Sequence, residues 1–177
     1  MNKKLKLTEL NRVSVDTYKK QNKIPIIVIL DNIRSLNNIG SFFRTTDAFN
    51  LESIYLCGIT ATPPHREIQK TALGATESVD WFYNENTLEV IDVLKAKGYK
   101  AYAIEQAKET ISLENFEYNN EPIAIVFGNE VKGVDQNVID ACDACIEIPQ
   151  FGTKHSLNVS ISYGVVAWHL INQSIEK

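Results

Sequence analysis

Cysteine is scarce in this chain, with only Cys57, Cys142 and Cys145 among 177 residues. Three thiols cannot close a complete disulfide framework. The Cys142–Cys145 spacing lacks the second ligand pair that a structural zinc needs, because neither His155 nor His169 falls in a paired cluster. Reduced thiols and no metal are therefore expected. Long apolar runs are also missing. No stretch approaches the ~20 residues that span a bilayer, and the basic start MNKKLKLTEL has no apolar core of a secretion signal. The expectation is a cytoplasmic protein without membrane association. There is no internal repeat, low-complexity tract or interdomain linker. Neither G-x-G-x-x-G nor G-x-x-x-x-G-K-[ST] follows a strand, so a nucleotide-like ligand would have to be held some other way.

What the chain does have is enough apolar content, 44%, to bury a sizeable core, and 1–177 reads as one domain with a helical N-terminal extension over 1–24. In that extension Leu7, Leu10, Val13 and Tyr18 make a weak helical pattern, with Thr8 available as a cap. The formal net charge of -4 argues against a protein that coats nucleic acid nonspecifically. Its distribution is uneven. Residues 1–70 hold 11 Lys or Arg against 6 acids, and residues 71–177 hold 7 against 16, so a polyanion would dock on the first part.

Ile24–Leu30, IPIIVIL, is a β-branched run that suits a strand buried on both faces. A helix capped by Asn37 or Asn38 follows, running to about Phe49 with Arg44 near its middle. Strands are expected at Ser53–Cys57, Trp81–Tyr83, Tyr99–Ile104, Pro122–Phe127 and Ala144–Ile148. Helices are expected at Arg66–Leu73, Asn86–Lys97 and Asp135–Ala141, with an irregular polar stretch over 105–121. Ser156 is a plausible cap for a long, mostly buried final helix, in which Ser160, Ser162 and Gly164 allow close packing and the polar groups bond to backbone. The alternation predicts an α/β fold: a mainly parallel sheet with helices on both faces and ligands beyond the carboxyl ends of the strands.

Three loops at strand ends concentrate chemistry-bearing residues: 37–44, 128–133 and 150–158. The segments NNIGSFFRT at Asn37–Thr45, IVFGNEVKGV at Ile125–Val134 and IPQFGTKHSLNVSIS at Ile148–Ser162 together resemble the three motifs of the SpoU/TrmH group of S-adenosylmethionine-dependent RNA ribose 2'-O-methyltransferases. They occur in the same order and span nearly all of the chain beyond residue 25. The third motif departs from the family pattern in carrying Gln150-Phe151 ahead of Gly152.

The resemblance implies a C-terminal trefoil knot over 122–171, a homodimer, and a cofactor held mostly by backbone groups. S-adenosylmethionine is then expected against Gly128, Ile148 and Leu157, with Ile104, Phe127 and Asn129 as neighbours. Its catalytic residues map onto Arg44, Asn38, Glu130, Ser156 and Asn158. Arg44 is expected to grip a phosphate and stabilise charge on the reacting oxygen, with Asn38, Glu130 and Asn158 orienting Arg44 and the loop. With no separate RNA-binding domain before residue 25, contact with tRNA or ribosomal RNA is expected from Arg34, Arg66, Lys70 and Lys154 and from a partner subunit. The alternatives are a knotted methyltransferase acting on an RNA base nitrogen, and a noncatalytic RNA-binding protein of the same fold.

Overall fold

The computed structural model describes residues 2–175; Met1, Glu176 and Lys177 of the expected domain lie outside them. The IPIIVIL run forms β1 (Ile24–Asp31), preceded by α1 (Val15–Lys20) and followed by α2 (Leu36–Ala48). Then come β2 (Leu51–Cys57), α3 (Arg66–Ala72), α4 (Ala75–Ser78), β3 (Asp80–Asn84), α5 (Thr87–Ala96) and β4 (Lys100–Ile104). The rest is β5 (Ile111–Ser112), β6 (Ile123–Phe127), α6 (Gln136–Ala141), β7 (Ala144–Glu147) and α7 (Val159–Ile175).

The seven strands form one sheet in the order β3-β2-β1-β6-β4-β7-β5, with every neighbouring pair parallel. Successive side chains on a strand point to opposite faces, so the apolar run of β1 feeds two cores. Ile26, Val28 and Leu30 join the core under α2, α3 and α7, and Ile27 and Ile29 join the one under α5 and α6. β6 divides in the same way, Ile125 and Phe127 on the first side and Ala124 and Val126 on the second.

Aromatic packing sets α2 against α7 above the end of β6. Phe42 stacks on Tyr163 with ring centroids 4.5 Å apart, and Phe127 meets both rings edge-on at 5.2 and 5.3 Å. The Tyr163 hydroxyl and Thr46 Oγ1 lie 2.7 Å apart, so the buried phenol is not left without a partner. Gly40 lets α3 close on α2, since a Cβ there would fall 2.3 Å from the Ile68 carbonyl.

The caps differ from the sequence reading. Thr8 lies in a 3-10 turn, Leu7–Glu9, and Ser14 caps α1 instead. Ser35, not Asn37 or Asn38, caps α2, its hydroxyl accepting from the Asn38 amide at 3.3 Å. Ser156 lies before α7 and caps nothing; Asn158 Oδ1 takes the Ser160 and Ile161 amides at 2.9 and 3.3 Å. The stretch 105–121 holds the two-residue β5 and a 3-10 turn, Leu113–Asn115, too short to carry a periodic signal. Nor is α7 buried on most sides: Ile161, Val165 and Trp168, at positions i, i+4 and i+7, are 58%, 41% and 55% exposed. The three cysteines are free, and burial pushes the thiols of Cys57 and Cys142 up to about 12. Among the described residues no helix is long and apolar enough to cross a membrane, and no group of His, Cys, Asp or Glu could hold a metal ion.

Candidate active site

Three chain segments meet at the carboxyl edge of the sheet, those that leave the neighbouring strands β1 and β6 and the one that leaves β7, which only β4 separates from β6. The loop leaving β6 turns back on itself at once. The Gly133 amide donates to the Asn129 carbonyl at 2.8 Å, and the two residues pair as an antiparallel bridge. Gly128 makes this closure possible, since a Cβ there would stand 2.2 Å from the Gly133 carbonyl carbon and the Val134 nitrogen. Asn129 spends its side chain on bracing: Nδ2 donates to the Asn32 carbonyl at 2.8 Å, and Oδ1 accepts from the amides of Val131 and Lys132 at 2.9 and 3.1 Å.

Glu130 projects from this loop onto the start of α2. Its carboxylate accepts from the Arg34 and Ser35 amides, each at 2.9 Å, and from Asn38 Nδ2 at 3.0 Å. Burial alone would raise its pKa, but the Arg34 and Ser35 amides and the Asn38 amide outweigh it and hold the carboxyl below its ordinary value. The Glu130 carboxylate therefore fills the anion-attracting end of α2. Asn38 is buried, and its Oδ1 accepts from Asn158 Nδ2 at 3.2 Å and from the Ser160 hydroxyl at 3.4 Å. One chain of hydrogen bonds thus runs from Glu130 through Asn38 to Asn158 and joins all three segments. Ser160 belongs to it, bonding Asn158 Oδ1 at 2.7 Å, a side-chain partner where the sequence suggested backbone.

Beside this chain lies a cavity of about 490 Å³. Ile104, Phe127, Gly128, Asn129, Ile148 and Leu157 line it, as do Glu130, Ser156 and Asn158. Phe127 is buried as its floor, Leu157 is partly exposed at 41%, and Ser156 is exposed. The lining sets apolar side chains such as Ile104, Phe127, Ile148 and Leu157 beside at least as many polar ones, which suits a ligand of moderate size that carries both an aromatic part and polar groups.

Arg44 is placed differently. It is exposed on α2 in a second groove of about 660 Å³, together with Lys70, Ser160, Ile161, Val165 and Trp168. Asn38, Glu130 and Asn158 make no hydrogen bond to it and brace the loop instead: their side chains are committed to one another and to backbone amides. The first turn of α7 contributes to both hollows, Val159 and Ser162 to the cavity and Ser160 and Ile161 to the groove that holds Arg44. Arg34, Arg66, Lys70 and Lys154 are all exposed, and Lys70 makes a loose 3.9 Å pair with Glu67. Glu105 and Gln106, which also line the cavity, are absent from the sequence reading. The available signal was position, since they leave the carboxyl end of β4, where ligands of open α/β sheets bind.

Known proteins similar to this chain are RNA methyltransferases by name. An uncharacterized tRNA/rRNA methyltransferase of Synechocystis is 29% identical over 164 residues, 90% of this chain and 41% of that protein. The tRNA (guanosine(18)-2'-O)-methyltransferase of Aquifex aeolicus is 29% identical over 158 residues, 86% of this chain and 71% of that protein. The chain thus spans less than half of the first relative's length. The crystal structure of the A. aeolicus TrmH/SpoU tRNA modifying enzyme superposes with a TM-score of 0.82 at 24% identity, covering 92% of this chain and 81% of that one. An AdoMet-bound rRNA methyltransferase from Sinorhizobium meliloti gives 0.79 at 25% identity, covering 88% and 59%. The model of the SpoU rRNA Methylase family matches residues 25–168, which take in all three segments of the hydrogen-bond chain, and the protein belongs to that family.

Proposed function

We propose that the protein transfers a methyl group from S-adenosylmethionine to a ribose 2'-hydroxyl of tRNA or ribosomal RNA. The observation that carries this reading is the Glu130–Asn38–Asn158 hydrogen-bond chain, which draws three distant segments together beside one cavity that Glu130 and Asn158 line. The names of the relatives support the reaction, and the AdoMet-bound neighbour supports the cofactor.

The residues present fit S-adenosylmethionine. Ile104, Phe127, Ile148 and Leu157 offer apolar walls to a flat base, and the closed loop after Gly128 turns backbone rather than side chains toward the ligand. When bound, the cofactor supplies an electrophilic methyl on a sulfonium centre. The protein must place the target oxygen in line and let its proton leave. Arg44 cannot take that proton, because a guanidinium stays protonated. Exposed beside Lys70, it grips a phosphate of the RNA and stabilises charge building on the oxygen, while phosphate or water accepts the proton. Glu130, Asn38 and Asn158 act indirectly by fixing the first turn of α7 against α2, which carries Arg44. Ser156, exposed on the cavity wall, offers a hydroxyl to the substrate.

Arg34, Arg66 and Lys154 contact phosphates in the same reading; such contacts position RNA without reading its sequence. The exposed Ile161, Val165 and Trp168 stripe fits a homodimer seam beside Arg44. Residues 122–171 form the trefoil knot, and the site of action is the cytoplasm.

The test is transfer of labelled methyl from S-adenosylmethionine to unmodified tRNA and ribosomal RNA, followed by digestion to nucleosides. Label in a 2'-O-methyl nucleoside that is lost with Arg44→Ala is the expected result. Label on a base would replace the reaction, and absence of both transfer and cofactor binding would end the enzyme reading.

A further inference from the structure

The dipeptide Glu105–Gln106 touches every segment that walls the cavity. Its amide at Glu105 donates to the Ile146 carbonyl of β7 at 3.2 Å. The Glu105 carboxylate accepts from the Val134 amide through Oε2 at 2.9 Å and from the Gln106 amide through Oε1 at 2.8 Å. Its approach depends on Gly133, which has φ +72° and where a Cβ would stand 2.2 Å from Glu105 Oε2. One carboxylate thereby fixes the far end of the 128–134 loop.

Gln106 reaches the other way. Its Nε2 donates to the His155 carbonyl at 2.8 Å. Residues 151–158 are all exposed, and among the described residues no other hydrogen bond reaches 149–157 from the rest of the chain. A loop with so few internal contacts takes its conformation from whatever tethers it. The tether here comes from a residue that itself lines the cavity.

We propose that Glu105 and Gln106 are positioning residues that set the separation of the two loops enclosing the cofactor, with Gln106 ordering the 149–157 segment over the cavity. The proposal rests on the reading that this cavity takes S-adenosylmethionine. It assigns a role to two residues outside the three motif segments. It also makes the exposed loop bearing Lys154 and His155 sensitive to occupancy of the cavity, because Gln106 would contact ligand on one side and that loop on the other.

Two measurements on the full chain test this. The first is backbone nitrogen relaxation by NMR on the ligand-free protein, resolved by residue, which reads the mobility of amides that make no hydrogen bond. Gln106→Ala and the isosteric Gln106→Glu, which replaces the donor by a charged acceptor, should both lower the order parameters in 150–157 and leave 128–134 as in wild type. Glu105→Gln, which turns an amide against one of the two N–H donors, should lower them in 128–134. The second is calorimetric binding of S-adenosylmethionine, where each variant should weaken affinity by about three- to tenfold, the loss of one modest hydrogen bond. Unchanged order parameters in both loops, or loosening spread evenly over the sheet, overturns the proposal. The relaxation arm decides it without ligand, so failure of the wild type to bind S-adenosylmethionine would remove the functional reading while relaxation still judged the clamp.

Discussion

Asn38 and Asn158, 120 positions apart in sequence, share a 3.2 Å hydrogen bond in which Asn38 Oδ1 is the acceptor, and Asn38 Nδ2 donates to Glu130. Asn is suited to this place because its amide donates on one side and accepts on the other. A carboxylate could do only the second, and an alanine neither.

Asn38→Ala should therefore leave the Asn158 amide without this acceptor and remove the charge-assisted bond to Glu130, costing about 1–3 kcal/mol. For a domain of this size that lowers Tm by roughly 2–4 °C per kcal/mol. Asn38→Asp should be worse than Ala at neutral pH, since it sets a second carboxylate against Glu130. Thermal unfolding of the three proteins checks the order, and an Asp variant as stable as wild type would mean that the pair is not coupled.

Glu130 gives a pH signature. Its folded carboxyl lies below its ordinary value of 4.5, so the native state favours the ionised form. The stability it contributes is then fully present above that ordinary value and lost as pH falls through the lower folded one. In Glu130→Gln this part of the acid limb should flatten, with the two proteins differing most near neutrality and converging as pH falls through the lowered folded value. Urea unfolding at a series of pH values tests the sign. A difference that grew on acidification would contradict it.

Much of this was legible in the chain. The IPIIVIL and PIAIVF runs announce central parallel strands because a strand buried on both faces cannot alternate with polar residues, and both proved central. The caps were misassigned because Ser, Thr and Asn near a helix start are chemically equivalent until tertiary contacts engage one of them. Asn38 was occupied by Glu130 and Asn158, which left Ser35 to cap α2. The placement of Arg44 was illegible for a related reason: sequence shows that it follows Asn38 by six residues, not which side of α7 it faces. Glu105 and Gln106 lay in a stretch without periodicity, and their partners at Val134 and His155 are backbone groups that leave no trace in sequence.

Two glycines allow a matched comparison. A Cβ at Gly128 would meet the Gly133 and Val134 backbone, which cannot rotate away, whereas one at Gly152 would meet nothing within 4 Å. Gly128→Ala should open the 128–134 loop and abolish measurable S-adenosylmethionine binding while most of the sheet stays folded. Gly152→Ala should stay within about 0.5 kcal/mol of wild type in stability and bind normally. Circular dichroism and calorimetry on the pair separate local closure from global folding, and equal behaviour of the two variants would refute the steric argument.

The apolar stripe on α7 leads to the last prediction. Ile161, Val165 and Trp168 form one face over two turns, exposed beside Phe49, whose ring centroid lies 6.1 Å from that of Trp168. An isolated exposed apolar residue needs no explanation, but a continuous helical stripe marks a surface that is covered in use. A homodimer placing two such stripes face to face would bury the apolar rim of the groove that holds Arg44 and Lys70. Trp168→Glu sets a charge in the middle of the stripe at little cost to a monomer in which Trp168 is already 55% exposed. In sedimentation the wild type should run at twice 20.0 kDa and the variant at 20.0 kDa. S-adenosylmethionine binding, which uses the cavity of a single chain, should survive in the variant, and methyl transfer should fall if Arg44 must act across the seam. A wild type that sediments as a monomer would rule out the dimer, whereas a monomeric variant with full transfer would keep the dimer and confine catalysis to one chain.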